Sequence, residues 1–194
     1  MSNRQPQLGR FINLAGPSAA AGKSAIMAEL LKLSKLNLVR LSTYTTRAPR
    51  PSDPYDRLHH RFVTEKKFFA LKRRGFFLET KKLRHAWYGS PIRDIERLLD
   101  TGKNVISDVD PQRIKKIRRR LPGMVAIFVD APNSFLRKRL VERGESGKEI
   151  GGRLSTAARE RRFKKYYDKV FTNDEGRLEE VVAEIAKYLK NRLE

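Results

Sequence analysis

Two glycines, a lysine and a serine stand in an order that can hold phosphate in the stretch Gly16-Pro17-Ser18-Ala19-Ala20-Ala21-Gly22-Lys23-Ser24. Successive backbone N–H groups, the positive end of the helix that follows and a lysine ammonium then converge on one set of phosphate oxygens. Lys23 is spaced to reach the outer phosphates of a nucleoside triphosphate, and Ser24 to offer its hydroxyl to the magnesium ion that bridges them. Five residues separate Gly16 from Gly22, one more than the usual pattern allows. Three alanines line the loop where further glycines are common, so positive φ angles cost more there. The plainer alternative is a small-residue turn before an ordinary helix.

Two further groups could act on the same phosphates. The run Val105-Ile106-Ser107-Asp108-Val109-Asp110 reads as a buried strand ending in acids, and aspartates there can order magnesium through its waters. Asp108 is a metal or substrate candidate; Asp110 divides evenly between a metal role and the N-cap of the helix opened by Pro111. Farther on, the Gly-rich stretch 144–152 is bracketed by Arg139, Arg143 and Arg153. A loose lid that closes over triphosphate and brings positive charge to the transferring group explains that pattern. A flexible loop with surface arginines is the simpler reading.

These residues need a frame. The apolar run Phe11-Ile12-Asn13-Leu14-Ala15 predicts a strand, and residues 23–35, with Ile26, Met27, Leu30, Leu31 and Leu33 at three and four spacing, predict a helix. A strand at 38–41 follows, then a polar, basic, proline-rich stretch from Ser42 to Arg61 that reads as a functional loop. Strands are expected at 62–63, 76–80, 124–129 and 169–172, with helices from Thr64 to Arg74, from Ser90 (N-cap, Pro91 at the first position) to Gly102, across 133–143 and across 177–193. Alternating strands and helices predict an α/β fold with a mainly parallel sheet of about five strands, whose ligands sit beyond the carboxyl ends of the strands. One domain is expected: a core of residues 8–41, 91–143 and 154–194, a substrate-binding insert at 42–90 and a lid at 144–153.

Composition bounds the rest. The chain has 194 residues, with 39% hydrophobic and 9% aromatic residues, enough for one sizeable core. Cysteine is absent, which excludes disulfides and thiolate metal sites. With no apolar signal region near Met1 and no run long enough to span a membrane, a soluble cytoplasmic protein is expected. Lys and Arg number 43 against 22 Asp and Glu, a net charge of +21 that attracts polyanions in general. Arg118-Arg119-Arg120, Arg161-Arg162 and Lys164-Lys165 suit nucleic acid, yet each lies in a helical pattern where a solvated face is the commoner explanation. Weak, salt-sensitive polyanion association follows from the charge.

Taken together, the sequence resembles guanylate kinase from Phe11 to Asp174 and beyond. The matching pieces are Gly-Pro-Ser with Gly-Lys-Ser at 16–24, Thr-Thr-Arg-Ala-Pro-Arg at 45–50, Phe-Leu-Glu at 77–79, Trp-Tyr-Gly-Ser-Pro at 87–91, Asp-Val-Asp-Pro-Gln at 108–112, Arg-Leu-Val-Glu-Arg-Gly at 139–144 and Thr-Asn-Asp at 172–174. The resemblance implies a P-loop fold with a nucleoside-monophosphate insert and a lid, and transfer of phosphate from ATP to GMP or dGMP with magnesium. It implies ATP contacts at Gly16, Pro17, Ser18, Ala19, Ala20, Ala21, Gly22, Lys23, Ser24 and Ala25, with Asn173 near adenine. Arg47 and Arg50 fall on the acceptor phosphate with Tyr88 beside them, Glu79 on the guanine edge, and Ser90 with either Ser42 or Thr43 on the O6 side. Asp108 falls near the exocyclic amine or the magnesium waters, and Arg139, Arg143 and Arg153 become lid cations. His60 stands where the family has a tyrosine on the acceptor phosphate, which predicts pH dependence near neutrality. Alternatives are a kinase of the same fold acting on another phosphate ester, such as ribose 1,5-bisphosphate, and a non-catalytic binding module; a monomer or homodimer is expected.

Overall fold

Near-continuous apolar runs stay in water only at high cost, so they become the central strands of a sheet covered on both faces. The computed structural model, which describes residues 8–17, 20–51, 56–83 and 85–193, arranges them in that way. A five-stranded parallel sheet has the order β2-β7-β1-β8-β9, built from β1 (Phe11–Ala15), β2 (Leu38–Arg40), β7 (Asn104–Ser107), β8 (Val125–Asp130) and β9 (Lys169–Thr172). Ile12 pairs with Ile106 on one side and Val125 on the other. Alternation along the strands divides two cores. Ile12, Leu14, Ile106 and Ile127 pack under α1 (Lys23–Leu31) and α8 (Leu178–Leu193), whereas Phe11, Val105 and Ala126 pack under α4 (Ile92–Asp100) and α5 (Ile114–Arg120). Burying each such aliphatic side chain is worth roughly 2 kcal/mol.

The insert is a second sheet, order β4-β3-β6-β5, formed by β3 (Thr43–Thr45), β4 (His60–Phe62), β5 (Phe77–Leu83) and β6 (Ala86–Pro91). A short helix, α2 (Asp56–His59), leads into β4, and α3 (Glu65–Arg73) covers the sheet with Phe68 stacked on Phe77 at 4.8 Å. Thr64 caps α3 as its sequence predicts, accepting from the Lys67 N–H at 3.3 Å. A register shift between Phe77 and Glu79 does the positioning: Leu78 is buried in the core with Phe11 and Ile95, and Glu79 is set opposite Ser90. The chain leaves the core after β2 and returns at β7, and these strands are hydrogen-bonded neighbours.

Several boundaries differ from the sequence pattern for local reasons. The helix predicted over 23–35 ends at Leu31, because Leu33 turns extended and a 3-10 turn, Ser34–Leu36, buries Leu36. Ser90 is not an N-cap; it belongs to β6, and Pro91 takes the cap of α4. The strand carrying the acids stops at Ser107, leaving residues 108–110 as a turn. The stretch expected as a loose loop starts a helix instead: α7 (Gly147–Arg161) follows α6 (Asn133–Glu142). Ser146 and Glu149 make a reciprocal capping box, which overrides the poor helix propensity of Gly151 and Gly152.

Candidate active site

The loop after β1 lies at the point where strand order reverses, since β1 is flanked by β7 and β8. Crevices at such points take ligands because the connections on the two sides diverge. Gly22 carries φ +85° at the N-terminus of α1, and a Cβ there would come within 2.4 Å of Asn173 Nδ2. Gly16 lies against the Val129 carbonyl, 2.0 Å from where a Cβ would stand. Ala20 is driven to φ +40°, a strain on the order of 1 kcal/mol for a residue with a Cβ. Ala20 therefore does reach the left-handed region. Side chains from other elements hold this part of the loop: Asn173 Nδ2 donates to the Ala21 carbonyl at 2.9 Å, and Arg139 Nη1 to the Ala20 carbonyl at 3.2 Å. Ser18 and Ala19, the remaining loop candidates, lie outside the described residues.

Lys23 Nζ donates to the Pro17 carbonyl at 2.6 Å, curling over the loop. Burial lowers its pKa, against the pull of Asp108 and Glu160. A cavity of about 530 Å³ opens there, with Gly16, Lys23, Ser24, Ala25, Asp108, Asp110, Arg139, Arg143 and Arg153 in its walls. Asn13 sets the acidic turn beside it: from within β1 its Oδ1 accepts from the Val109 N–H at 2.9 Å. Asp110 does cap, its Oδ1 accepting from the Gln112 N–H at 2.9 Å, while still lining the cavity. No group of three or more His, Asp or Glu gathers among the described residues. Ser24, Asp108 and Asp110 supply hard oxygen donors, and magnesium that keeps waters and phosphate oxygens needs no denser cage.

A second cavity, about 440 Å³, shares Leu83 and Arg153 with the first and adds Arg47, Arg50 and Tyr88. Arg47 is heavily engaged. Both terminal nitrogens bind the Asp56 carboxylate, Nη1 at 2.8 Å, and Nε donates to the Tyr88 hydroxyl at 3.1 Å. The Asp56 carboxylate raises the Arg47 pKa, and the guanidinium, with the Arg50 N–H at 2.7 Å, holds Asp56 well below the usual carboxylate range. Deeper in the insert Glu79 is buried and cross-strand from Ser90, whose hydroxyl donates to Glu79 Oε1 at 3.0 Å. Glu79 Oε2 is buried with no hydrogen-bond partner among the described residues. Burial raises the Glu79 pKa, and Lys81 and Ser90 oppose it.

Against this geometry stand the known proteins. The guanylate kinase family model matches residues 9–192. A guanylate kinase from Mannheimia succiniciproducens is 36% identical over 171 residues, covering 86% of this chain and 81% of that protein. One from Helicobacter pylori is 34% identical over 183 residues, 93% of this chain and 87% of its own. The chain belongs to the guanylate kinase family. The crystal structure of guanylate kinase from Anaplasma phagocytophilum superposes with a TM-score of 0.75 at 25% identity, covering 96% of this chain and 87% of that one.

Two expectations about the guanylate kinase site change. Asn173 is fully buried beneath the loop, so it supports the Ala21 carbonyl and offers no surface to adenine. His60 accepts or donates at Nδ1 to the Thr43 hydroxyl at 2.8 Å, and burial together with the Arg47 charge pushes its pKa down to about 4. It does not titrate near neutrality. Ser42 donates to the Leu58 carbonyl at 2.6 Å, and Thr43, engaged with His60, shares a face with Thr45, the partner of Tyr88. Asp56, Asn13 and Lys81 were missed by motif reading. Asp56 opens the four-residue α2, and Asn13 and Lys81 acquire their meaning only through strand register.

Proposed function

We infer that this member of the guanylate kinase family transfers the terminal phosphoryl group of ATP to GMP, giving ADP and GDP, with magnesium at Ser24 and the Asp108–Asp110 turn. The observation that carries the choice of acceptor is the unpartnered, buried Glu79 Oε2 beside Ser90. An orphaned buried acceptor costs about 1–3 kcal/mol. Guanine repairs the deficit because N1–H and the exocyclic amine are adjacent donors that one carboxylate accepts together. Adenine would set a ring lone pair against the same oxygen. Ribose 1,5-bisphosphate leaves the oxygen orphaned, and a binding module has no use for the phosphate cavity with Lys23, Arg139 and Arg143 in its walls; neither is favoured. Contacts to the sugar 2′ position are absent from the reading, so dGMP is an acceptor of the same standing.

In this reading Thr43 and Ser90 serve the O6 side, and Arg47, Arg50 and Tyr88 take the acceptor phosphate. Arg47 then exchanges part of its Asp56 fork for phosphate oxygens, a like-for-like trade of charge-assisted hydrogen bonds. The loop amides and Lys23 hold the ATP phosphates. Magnesium, when bound, supplies charge neutralisation between donor phosphates. Residues 144–153 act as a lid with the α7 base anchored, since Arg161 donates to Asp130 at 2.8 Å and Lys164 pairs with the same carboxylate. Arg139, Arg143 and Arg153 balance charge as the group moves, and positioning with electrostatics provides the acceleration.

A coupled ADP-release assay with magnesium-ATP against GMP, dGMP, AMP, UMP, CMP and ribose 1,5-bisphosphate tests the assignment. Turnover concentrated on GMP and dGMP is the expected result; preference for AMP or the sugar bisphosphate removes it. Lys23→Ala should cut turnover at least about a hundredfold without lowering the melting temperature, since a desolvated cation is lost. The +21 charge supports weak polyanion association and a cytoplasmic location among nucleotides and nucleic acid. A monomer or homodimer is part of the same reading, measurable by sedimentation. Among the described residues no helix is long and apolar enough to cross a membrane.

A further inference from the structure

Lys81 stands in the phosphate cavity without a motif to account for it. It lies two residues beyond Glu79 on β5 and directly opposite Tyr88 on β6. One face of the insert sheet thus carries, in order, the Glu79 and Ser90 pair and then the Lys81 and Tyr88 pair, about 7 Å farther along the strand. The pleat sends neighbouring Lys82 the other way, to lie 5.9 Å over the Trp87 ring. Lys81 is half-buried in the wall of the cavity that holds Lys23, Arg139 and Arg143. Its charge acts on two groups at once, pushing on the Lys23 ammonium and drawing on the Glu79 carboxylate. Among the described residues no carboxylate lies within ion-pairing distance of it. Lys23, Lys81, Arg139, Arg143 and Arg153 outnumber Asp108 and Asp110 in that wall, and negative oxygens that enter relieve the repulsion left among the cations.

We propose that Lys81 is a catalytic residue of the transfer, its ammonium touching the GMP phosphate and the terminal ATP phosphate at once. The proposal rests on the GMP-kinase reading. A GMP phosphate oxygen forms a bond to the γ-phosphorus while the bond from that phosphorus to the β–γ bridging oxygen breaks, and the electron pair leaves with ADP. Because β5 belongs to the insert and Lys23 to the core, the two ammoniums approach the transferring group from opposite bodies. Lys81 thereby makes charge balance depend on both substrates being present, and a lone ATP loses little by its absence.

The test compares Lys81→Met, Lys81→Arg and Lys82→Met in the full chain. Steady-state kinetics are measured with GMP and magnesium-ATP, and calorimetry with ATP alone and with guanosine and adenosine joined by five phosphates. Lys81→Met should lower kcat by about tenfold to a hundredfold and weaken the joined dinucleotide about tenfold. ATP affinity should stay within about twofold, Lys81→Arg should restore most of both losses, and Lys82→Met should match the parent. A Lys81→Met protein with kcat and joined-dinucleotide affinity both within about twofold of an active parent overturns the proposal, as does an equal loss of ATP alone. A parent that does not phosphorylate GMP overturns the acceptor reading instead, and the parent assay separates the two failures.

Discussion

In the proposed reading selectivity turns on Glu79, whose Oε1 accepts from Ser90 while Oε2 has no partner among the described residues. Substituting Gln replaces an acceptor by a donor facing guanine N–H groups, so Glu79→Gln should lower kcat/KM for GMP about a hundredfold and for AMP far less. Equal losses for the two nucleotides in the same assay would show that Glu79 does not read the base. His60 yields a second prediction through linkage. Its folded pKa of about 4 lies below its ordinary value of 6.5, so the unfolded chain binds the proton more readily between those limits. Stability therefore falls as pH drops from 6.5 toward 4, in the same sense as the depressed Asp56 carboxylate at still lower pH. His60→Gln should flatten the melting temperature between pH 6.5 and 4.5, and an unchanged slope would locate the acid sensitivity elsewhere.

At the scale of elements, α7 decides how the arginine-bearing segment behaves. Its N-terminus is closed by Ser146 and Glu149, with the Ser146 N–H donating to Glu149 Oε2 at 2.8 Å, while Arg153 Nε donates to Glu145 at 3.1 Å. Ile150 and Ala157 pack against Leu136 and Leu140 of α6 and against Ala20 and Ala21 of the loop. The α7 helix and the phosphate loop thus share one small apolar core, a physical route by which closure of the proposed lid would be coupled to loop geometry. Ser146→Ala should cost about 1 kcal/mol, felt locally. Amide exchange should quicken in the first turn of α7 and kcat should fall severalfold, with KM for GMP little changed. Loss of global melting temperature without faster local exchange would contradict this account.

Across the whole molecule the excess of positive charge has two opposed effects. It repels itself in the compact state and draws polyanionic nucleotides toward a cleft walled by Lys23, Lys81, Arg139, Arg143 and Arg153. Raising salt from about 20 mM to about 200 mM should therefore raise the melting temperature while lowering kcat/KM. A melting temperature indifferent to salt would mean that local pairs such as Arg118 with Asp168 and Arg61 with Asp94 already neutralise the field. The two-sheet design adds a division of labour. The core sheet carries the donor loop and the insert sheet the acceptor face, and Leu78 in the core cluster ties the second to the first.

What the amino-acid sequence determined by itself was the parallel core, because apolar runs such as residues 11–15 and 124–129 have few ways to be buried, and the ATP loop, because Gly-Lys-Ser after a strand is a local arrangement. The residues proposed for the acceptor site were likewise legible as types in order. Tertiary structure alone decided which face each residue occupies. Strand register set Lys81 opposite Tyr88 and Lys82 opposite Trp87, burial moved His60 out of its usual titration range and Asn173 beneath the loop, and a capping box made a helix of a glycine-rich stretch. Register and burial depend on partners distant in the chain, and local pattern carries no record of them.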